Sequence, residues 1–170
     1  RYYLSKSYPV VWLNNGKLSW SVSTEHSKQA IIEINKTSFG RPKSIKIDVQ
    51  NKFIHHYPTQ NVVGKIVGRK KKKFIVVSAH YDHLGMMGDV KFPGANDNAS
   101  GISLLLNLAT YYSKIKSKYN IIFICFGAEE AGLKGSKYFT NNPLIDLKKV
   151  QFLINLDIVG TGEDGIAIVN

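Results

Sequence analysis

The acid and imidazole groups of this 170-residue chain that are suited to chemistry fall in a few short runs: His80-Tyr81-Asp82-His83, then Asp97, the adjacent pair Glu129-Glu130, and Asp157. Imidazole nitrogen mixed with carboxylate oxygen is the donor set that zinc and similar first-row ions take, whereas Ca²⁺ and Mg²⁺ prefer shells of oxygen alone. Carboxylates gathered beside apolar strands repel one another and are costly unless a cation neutralises them. The set therefore reads as a zinc-type centre. In His80-x-Asp82 a carboxylate two residues on can accept the second ring N–H and fix the tautomer. Neighbours leaving a strand point in different directions, so one of Glu129 and Glu130 can ligate while the other acts as a general base.

Taken singly, each feature has an ordinary explanation: HxD is common, an exposed Glu-Glu pair is usually a solvated face, and Asp157 can cap a turn. What joins them is the order of elements around them. From residue 61, short β-branched runs alternate with helical periodicity, the pattern of a sheet layered with helices. Strands are predicted over 61–67, 74–79, 120–126 and 151–157, with a further one over 165–169. A helix is predicted over 97–113, with Ile102, Leu105, Leu106, Ala109 and Tyr112 on one face and Asn96 or Asp97 as its cap. Shorter helices are expected over 132–140 and, after Asn141-Asn142-Pro143, over 144–150. Three of the runs follow predicted strands, and loops at the carboxyl ends of parallel strands converge on one rim, where ligand sites form.

The expected fold is thus α/β, a mixed and mainly parallel sheet sandwiched by helices and preceded by a β-rich segment. Residues 1–55 form that segment, with strands over 30–34 and 44–49, and residues 56–170 form the layered domain. The formal charge of +11 is lopsided: residues 1–79 hold 15 Lys or Arg against three acids, and the remainder holds 8 against 9. The densest basic run, residues 69–73, sits between two predicted strands, where a hairpin turn puts it in water. It lacks interleaved aromatics and a surrounding nucleic-acid module, so no nucleic-acid partner is expected. Cys125, the only cysteine, excludes an internal disulfide and a Cys-based zinc cage, and its apolar setting makes it a small core filler. No apolar run approaches the roughly 20 residues of a membrane span, and no signal-peptide pattern opens the chain.

Four ordered blocks resemble the M28 family of zinc aminopeptidases. They are Val77-Ser78-Ala79-His80-Tyr81-Asp82-His83-Leu84-Gly85, Gly94-Ala95-Asn96-Asp97-Asn98-Ala99-Ser100-Gly101, Gly127-Ala128-Glu129-Glu130-Ala131-Gly132-Leu133-Lys134-Gly135-Ser136 and Asn155-Leu156-Asp157. The resemblance covers residues 61–170 and implies an exopeptidase with two zinc ions. His80 and Asp157 then bind one zinc, Glu130 binds the other, and Asp97 bridges both. Asp82 orients His80, and Glu129 is the general base that takes a proton from the attacking water and delivers it to the departing amine. His83 does not ligate and either supports a ligand from behind or lines the pocket. The implied partner is a peptide with a free N-terminus, family habit implies an exported enzyme, and the family's peptide bond after the bridging Asp is often cis, which marks Asp97–Asn98. Residues 1–55 are similar to the end of a protease-associated domain.

One departure stands out: the family's last zinc ligand is a histidine well beyond the Asp157 block, and no histidine follows His83. The expectation is a portion of a longer protein, short of its C-terminal third and weakly active by itself. Two alternatives share the fold, a glutaminyl-cyclase-like enzyme with one zinc and a non-catalytic ectodomain. The intact Glu129 and ligand positions favour the peptidase. A nucleotide-binding loop at Gly127 to Lys134 is excluded because Leu133 breaks the Gly-Lys adjacency and Glu129-Glu130 repel phosphate. No G-x-S-x-G nucleophile elbow occurs.

Overall fold

The β-branched runs do become strands in the computed structural model, which describes residues 9–23, 31–40, 42–50, 52–162, 165 and 167–168. The chain divides into two units, Arg1–Tyr57 and Pro58–Asn170. In the first, β1 (Val10–Asn14) pairs in parallel with β2 (Ile31–Asn35), and a single helical turn, α1 (Lys36–Phe39), follows, its first turn capped by the Asn35 side chain accepting from Thr37 N. The predicted strand over 44–49 does not form. Among the described residues its alternation has no partner strand to pair with, and Ile45, Ile47 and Val49 are exposed.

The second unit contains β3 (Val62–Ile66), β4 (Lys70–His80), the short pair β5 (Gly85–Met87) and β6 (Val90–Phe92), α2 (Gly101–Ser113), β7 (Tyr119–Phe126), α3 (Lys134–Asn141) and β8 (Val150–Asn155). Its main sheet has the order β3-β7-β4-β8. β3 runs antiparallel to β7, while β7, β4 and β8 are mutually parallel neighbours. This is the mixed, mainly parallel sheet expected.

Both faces of the sheet are apolar, as covered parallel strands require. On one face Val77, Ala79, Ile121 and Phe123 pack against Leu105 of α2. On the other, Phe74, Val76, Ile122 and Ile124 pack against Phe139 of α3. The two sets alternate along β4 and β7 with the period of two that a pleated strand imposes, so the helices sandwich the sheet.

The basic run does not lie in a hairpin turn. Lys70 to Lys73 form the exposed first residues of β4, and β7 intervenes between β3 and β4. Four consecutive lysines have poor strand propensity, and what holds them is Asn120, whose side chain is buried. Its Nδ2 donates to the carbonyls of Lys71 at 2.8 Å and Lys73 at 3.1 Å, and its Oδ1 accepts from Gly68 N at 3.2 Å. The pairing of β4 with β7 shifts register at this place, and Asn120 satisfies the backbone groups that the shift leaves over.

The predicted helix over 144–150 shrinks to a 3₁₀ turn, Leu147–Lys149, since Asp146 caps it at Lys148 N and Val150 already belongs to β8. Of the expected strand over 165–169, residues 166 and 169 lie outside the described residues, and Gly165, Ala167 and Ile168 carry no strand. The β5–β6 hairpin, closed at Gly88-Asp89, was not foreseen; each of its arms is too short to show a period.

Replacing Asn120 with Leu should lower the unfolding free energy by about 2 kcal/mol, because the change strands buried backbone groups. It should appear as a lower urea midpoint, while Lys72→Ala on the exposed side leaves the midpoint unmoved.

Candidate metal centre

Parallel strands carry their last residues to one rim. Along β4, Phe74 and Val76 face α3, and the strand period places Ser78 and His80 on the same side. Pairing continues past the strand ends: Tyr81 N donates to Phe126 O at 2.9 Å, and Leu156 N donates to Ser78 O at 2.7 Å. His80, the Gly127-Ala128-Glu129-Glu130 turn and Asp157 therefore meet, although 77 residues separate the first from the last. His80 is buried, at 3% exposure.

Two donor groups result, one of His80, Asp97 and Asp157, the other of His83, Asp97 and Glu130. His80 Nε2 lies 3.1 Å from Asp97 Oδ1 and 3.4 Å from Asp157 Oδ1. On the other side of the same carboxylate, Asp97 Oδ2 lies 3.9 Å from His83 Nδ1, which is itself 2.8 Å from Glu130 Oε1. Asp97 thus turns one oxygen toward each group. Donors bound at ~2.0–2.2 Å in tetrahedral geometry sit roughly 3.3 Å apart. The spacings around His80 fit one zinc-sized ion with three protein donors and an open position.

Asp82 does not orient His80 through its carboxylate as expected. The His80 Nδ1–H donates to the backbone carbonyl of Asp82 at 3.0 Å, which leaves Nε2 free to face Asp97 and Asp157, while the Asp82 carboxylate is 3.9 Å away. That carboxylate instead accepts from the amides of Glu129 at 3.0 Å and Glu130 at 3.1 Å. The physical reason is the turn at Ala128, whose φ of 52° aims two consecutive N–H groups at the β4 loop. Two orphan amides outbid one ring N–H that already has a carbonyl.

Asn98 is the positioning residue that the sequence did not single out. Neither Asn96 nor Asp97 caps α2; the buried Asn98 side chain accepts from Gly101 N at 3.0 Å and donates to Leu156 O at 2.9 Å. It also accepts from Ile158 N at 3.4 Å. One side chain thereby ties the turn carrying Asp97, the start of α2 and both neighbours of Asp157. Gly101 permits this approach, since a Cβ there would overlap the Asn98 side chain and the Leu156 carbonyl. The Asp97–Asn98 peptide bond is cis, and Ile158, a β-branched residue, is held at φ 51° beside Asp157. The one available signal was a polar Asn at the head of an otherwise apolar helix face.

Two pKa shifts mark the site. Burial acts to lower that of His80, but the Asp82 carbonyl and the charges of Glu129, Asp157 and Asp97 outweigh it, leaving it raised above 6.5. Burial raises that of Glu129, with the His80 charge opposing and Glu130, Asp157 and Asp82 adding to the rise. Burial likewise raises the Cys125 thiol, which keeps it protonated and inert.

An ion that takes His80 Nε2 must displace a proton that the carboxylates favour. Since the metal-free pKa is raised, His80 keeps its proton to higher pH than an ordinary imidazole, and the affinity for Zn²⁺ should strengthen as pH rises until that proton is lost. Calorimetric titration at pH 6.5 in two buffers of different ionisation enthalpy should register proton release; proton-neutral uptake would contradict the assignment of His80.

The model of peptidase family M28 matches residues 61–170. Aminopeptidase YwaD of Bacillus subtilis is 40% identical over 106 residues, which is 61% of this chain and 22% of YwaD. Among solved structures, BSAP, a zinc aminopeptidase from Bacillus subtilis, aligns with a TM-score of 0.52 at 39% identity, covering 59% of this chain and 24% of that one. A Bacteroides thetaiotaomicron glutaminyl cyclase bound to N-acetylhistamine aligns with a TM-score of 0.51 at 28% identity, over 61% of this chain and 42% of its own. The match spans about a quarter of the length of these two Bacillus subtilis aminopeptidases. From Asn61 onward, through every strand end that carries the gathered acids, this chain belongs to peptidase family M28.

Proposed function

We propose that the chain carries a catalytic face for metal-dependent hydrolysis of peptides at their N-terminus, an aminopeptidase with two zinc ions. The observation that carries the reading is Asp97, which turns one oxygen toward His80 and Asp157 and the other toward Glu130 and His83. His80 and Asp157 would hold one zinc and Glu130 the other, with Asp97 offering an oxygen to each. Bound zinc supplies Lewis acidity to a peptide carbonyl and to water.

Glu129 adjoins His80 and Asp157 in a cavity of about 460 Å³ whose walls include Ile124, Phe126, Leu133 and Phe139. It takes the proton of the attacking water and returns it to the departing amine. The surplus of carboxylates attracts the ammonium of a free N-terminus, which limits cleavage to the first residue, and the apolar walls accept an apolar first side chain. Among the described residues no helix is long and apolar enough to cross a membrane.

A glutaminyl-cyclase-like reading draws on the solved cyclase of similar fold and on the His80 group, which is enough for a single zinc. The second oxygen of Asp97 and the Glu130 beyond it favour two ions. In the whole protein, Glu129→Gln should cut hydrolysis of a leucine chromogenic amide by at least ~100-fold while zinc per chain stays unchanged. Unchanged turnover would remove Glu129 from its role, and faster conversion of an N-terminal glutaminyl peptide than of the amide would favour the cyclase.

A further inference from the structure

On the reading above, His80 holds an ion directly, whereas the supporting role expected of His83 has a specific partner, Glu130. His83 is part-buried, at 22% side-chain exposure, and its partner Glu130 is at 18%. Two atoms sharing one zinc at ~2.0–2.2 Å sit roughly 3.3 Å apart. The 2.8 Å between His83 Nδ1 and Glu130 Oε1 is shorter than that and is the length of a charge-assisted hydrogen bond. A carboxylate only accepts, so Nδ1 carries the hydrogen and its lone pair is not available to an ion. Glu130 keeps its other oxygen for ligation.

The preceding residue acts on the same pair from the same loop. Asp82 accepts the amide hydrogens of Glu129 and Glu130, so it fixes their backbone, and His83 fixes the Glu130 side chain. Two consecutive residues after β4 thus hold two consecutive residues after β7. A Glu side chain has three rotatable bonds, and a carboxylate anchored at one oxygen loses much of that freedom before an ion arrives.

We infer that Asp82 and His83 form a grip on the Glu129-Glu130 pair, in which His83 is a positioning residue that aims the Glu130 carboxylate and does not itself bind metal. The inference rests on the two-ion reading above. It follows that the HxDH run has two halves: His80 serves the ion shared with Asp157, and Asp82-His83 serve the opposite strand end.

The test uses the metal-depleted whole protein, titrated with Co²⁺ and followed by calorimetry and visible absorption. The unaltered protein should take up two ions in two steps. His83→Ala should weaken the Glu130 step by ~10–100-fold and leave the His80 step within about twofold. His83→Asn, whose amide nitrogen falls near the position of Nδ1, should restore most of the loss. An Asn variant as weak as the Ala variant would overturn the hydrogen-bond role, and an Ala variant like the unaltered protein would overturn the grip. Equal weakening of both steps, with a lower melting temperature, would reduce His83 to a folding residue and also overturn it. A single step in the unaltered protein would refute the two-ion reading itself. Imidazole ¹⁵N NMR then still decides for His83: a protonated Nδ1 supports the hydrogen bond, and a bare or metal-bound Nδ1 overturns it.

Discussion

Mutual repulsion among Asp82, Asp97, Glu129, Glu130 and Asp157 is the constraint around which the rim of this sheet is built. At 4 Å, two unit charges in an environment of effective dielectric 20 repel by about 4 kcal/mol, so such a cluster persists only if each member has a positive partner. The structure answers in two ways. Asp82 is satisfied by the amides of Glu129 and Glu130 and withdraws from the competition. The remaining acids face His80 and His83, whose imidazoles are too few to neutralise them. Burial raises the pKa of Glu129 and the neighbouring acids add to the rise, while at His80 the Asp82 carbonyl and the same acids outweigh burial.

Holding repelling groups together requires a frame that does not yield. Parallel pairing sets Ser78 opposite Asn155 and His80 opposite Phe126, and each pairing runs one bond beyond its strand. Ser78 Oγ donates to Asn155 Oδ1 at 2.7 Å, and Asn61 accepts from Gly127 N while donating to Gly135 O, which ties the Glu129-Glu130 turn to β3 and α3. The frame also sustains left-handed backbone at Ala128 and Ile158, both beside proposed functional residues. A β-branched residue at φ 51° costs on the order of 1–3 kcal/mol, and such outliers gather where geometry is set by function.

Much of this was legible because the chain announces it by period and punctuation. The two-sided apolar runs around Val76 and Ile122 can only be buried strands between helices, and the face from Ile102 to Tyr112 can only be a helix against them. What escaped was set by partners distant in sequence. Lys70 to Lys73 look like a turn until Asn120, some 50 residues on, gathers their carbonyls. The alternation of Ser44 to Val49 looks like a strand, yet among the described residues no strand pairs with it. Asp82 was expected to serve His80 because they are two residues apart, yet its acceptors were taken by amides 47 and 48 residues away. Residue type and spacing identify which groups can do chemistry, but which donor meets which acceptor depends on a turn, here Ala128, whose left-handed conformation nothing in its side chain foretells.

The two donor groups that result are unequal, and the inequality follows from the same contacts. Around His80, one nitrogen and two carboxylates stand at spacings an ion can bridge with little movement. Around Glu130, the nearest nitrogen is engaged in a hydrogen bond to that carboxylate, so the described residues offer the second ion oxygen alone. An imidazole donor favours zinc over harder ions, whereas two carboxylates discriminate less. On the two-ion reading, the His80 position is therefore the tighter and more selective one. On the same reading, the Glu130 position would be tuned by how firmly its carboxylate is aimed, which would place control of the second ion in residues that never touch it.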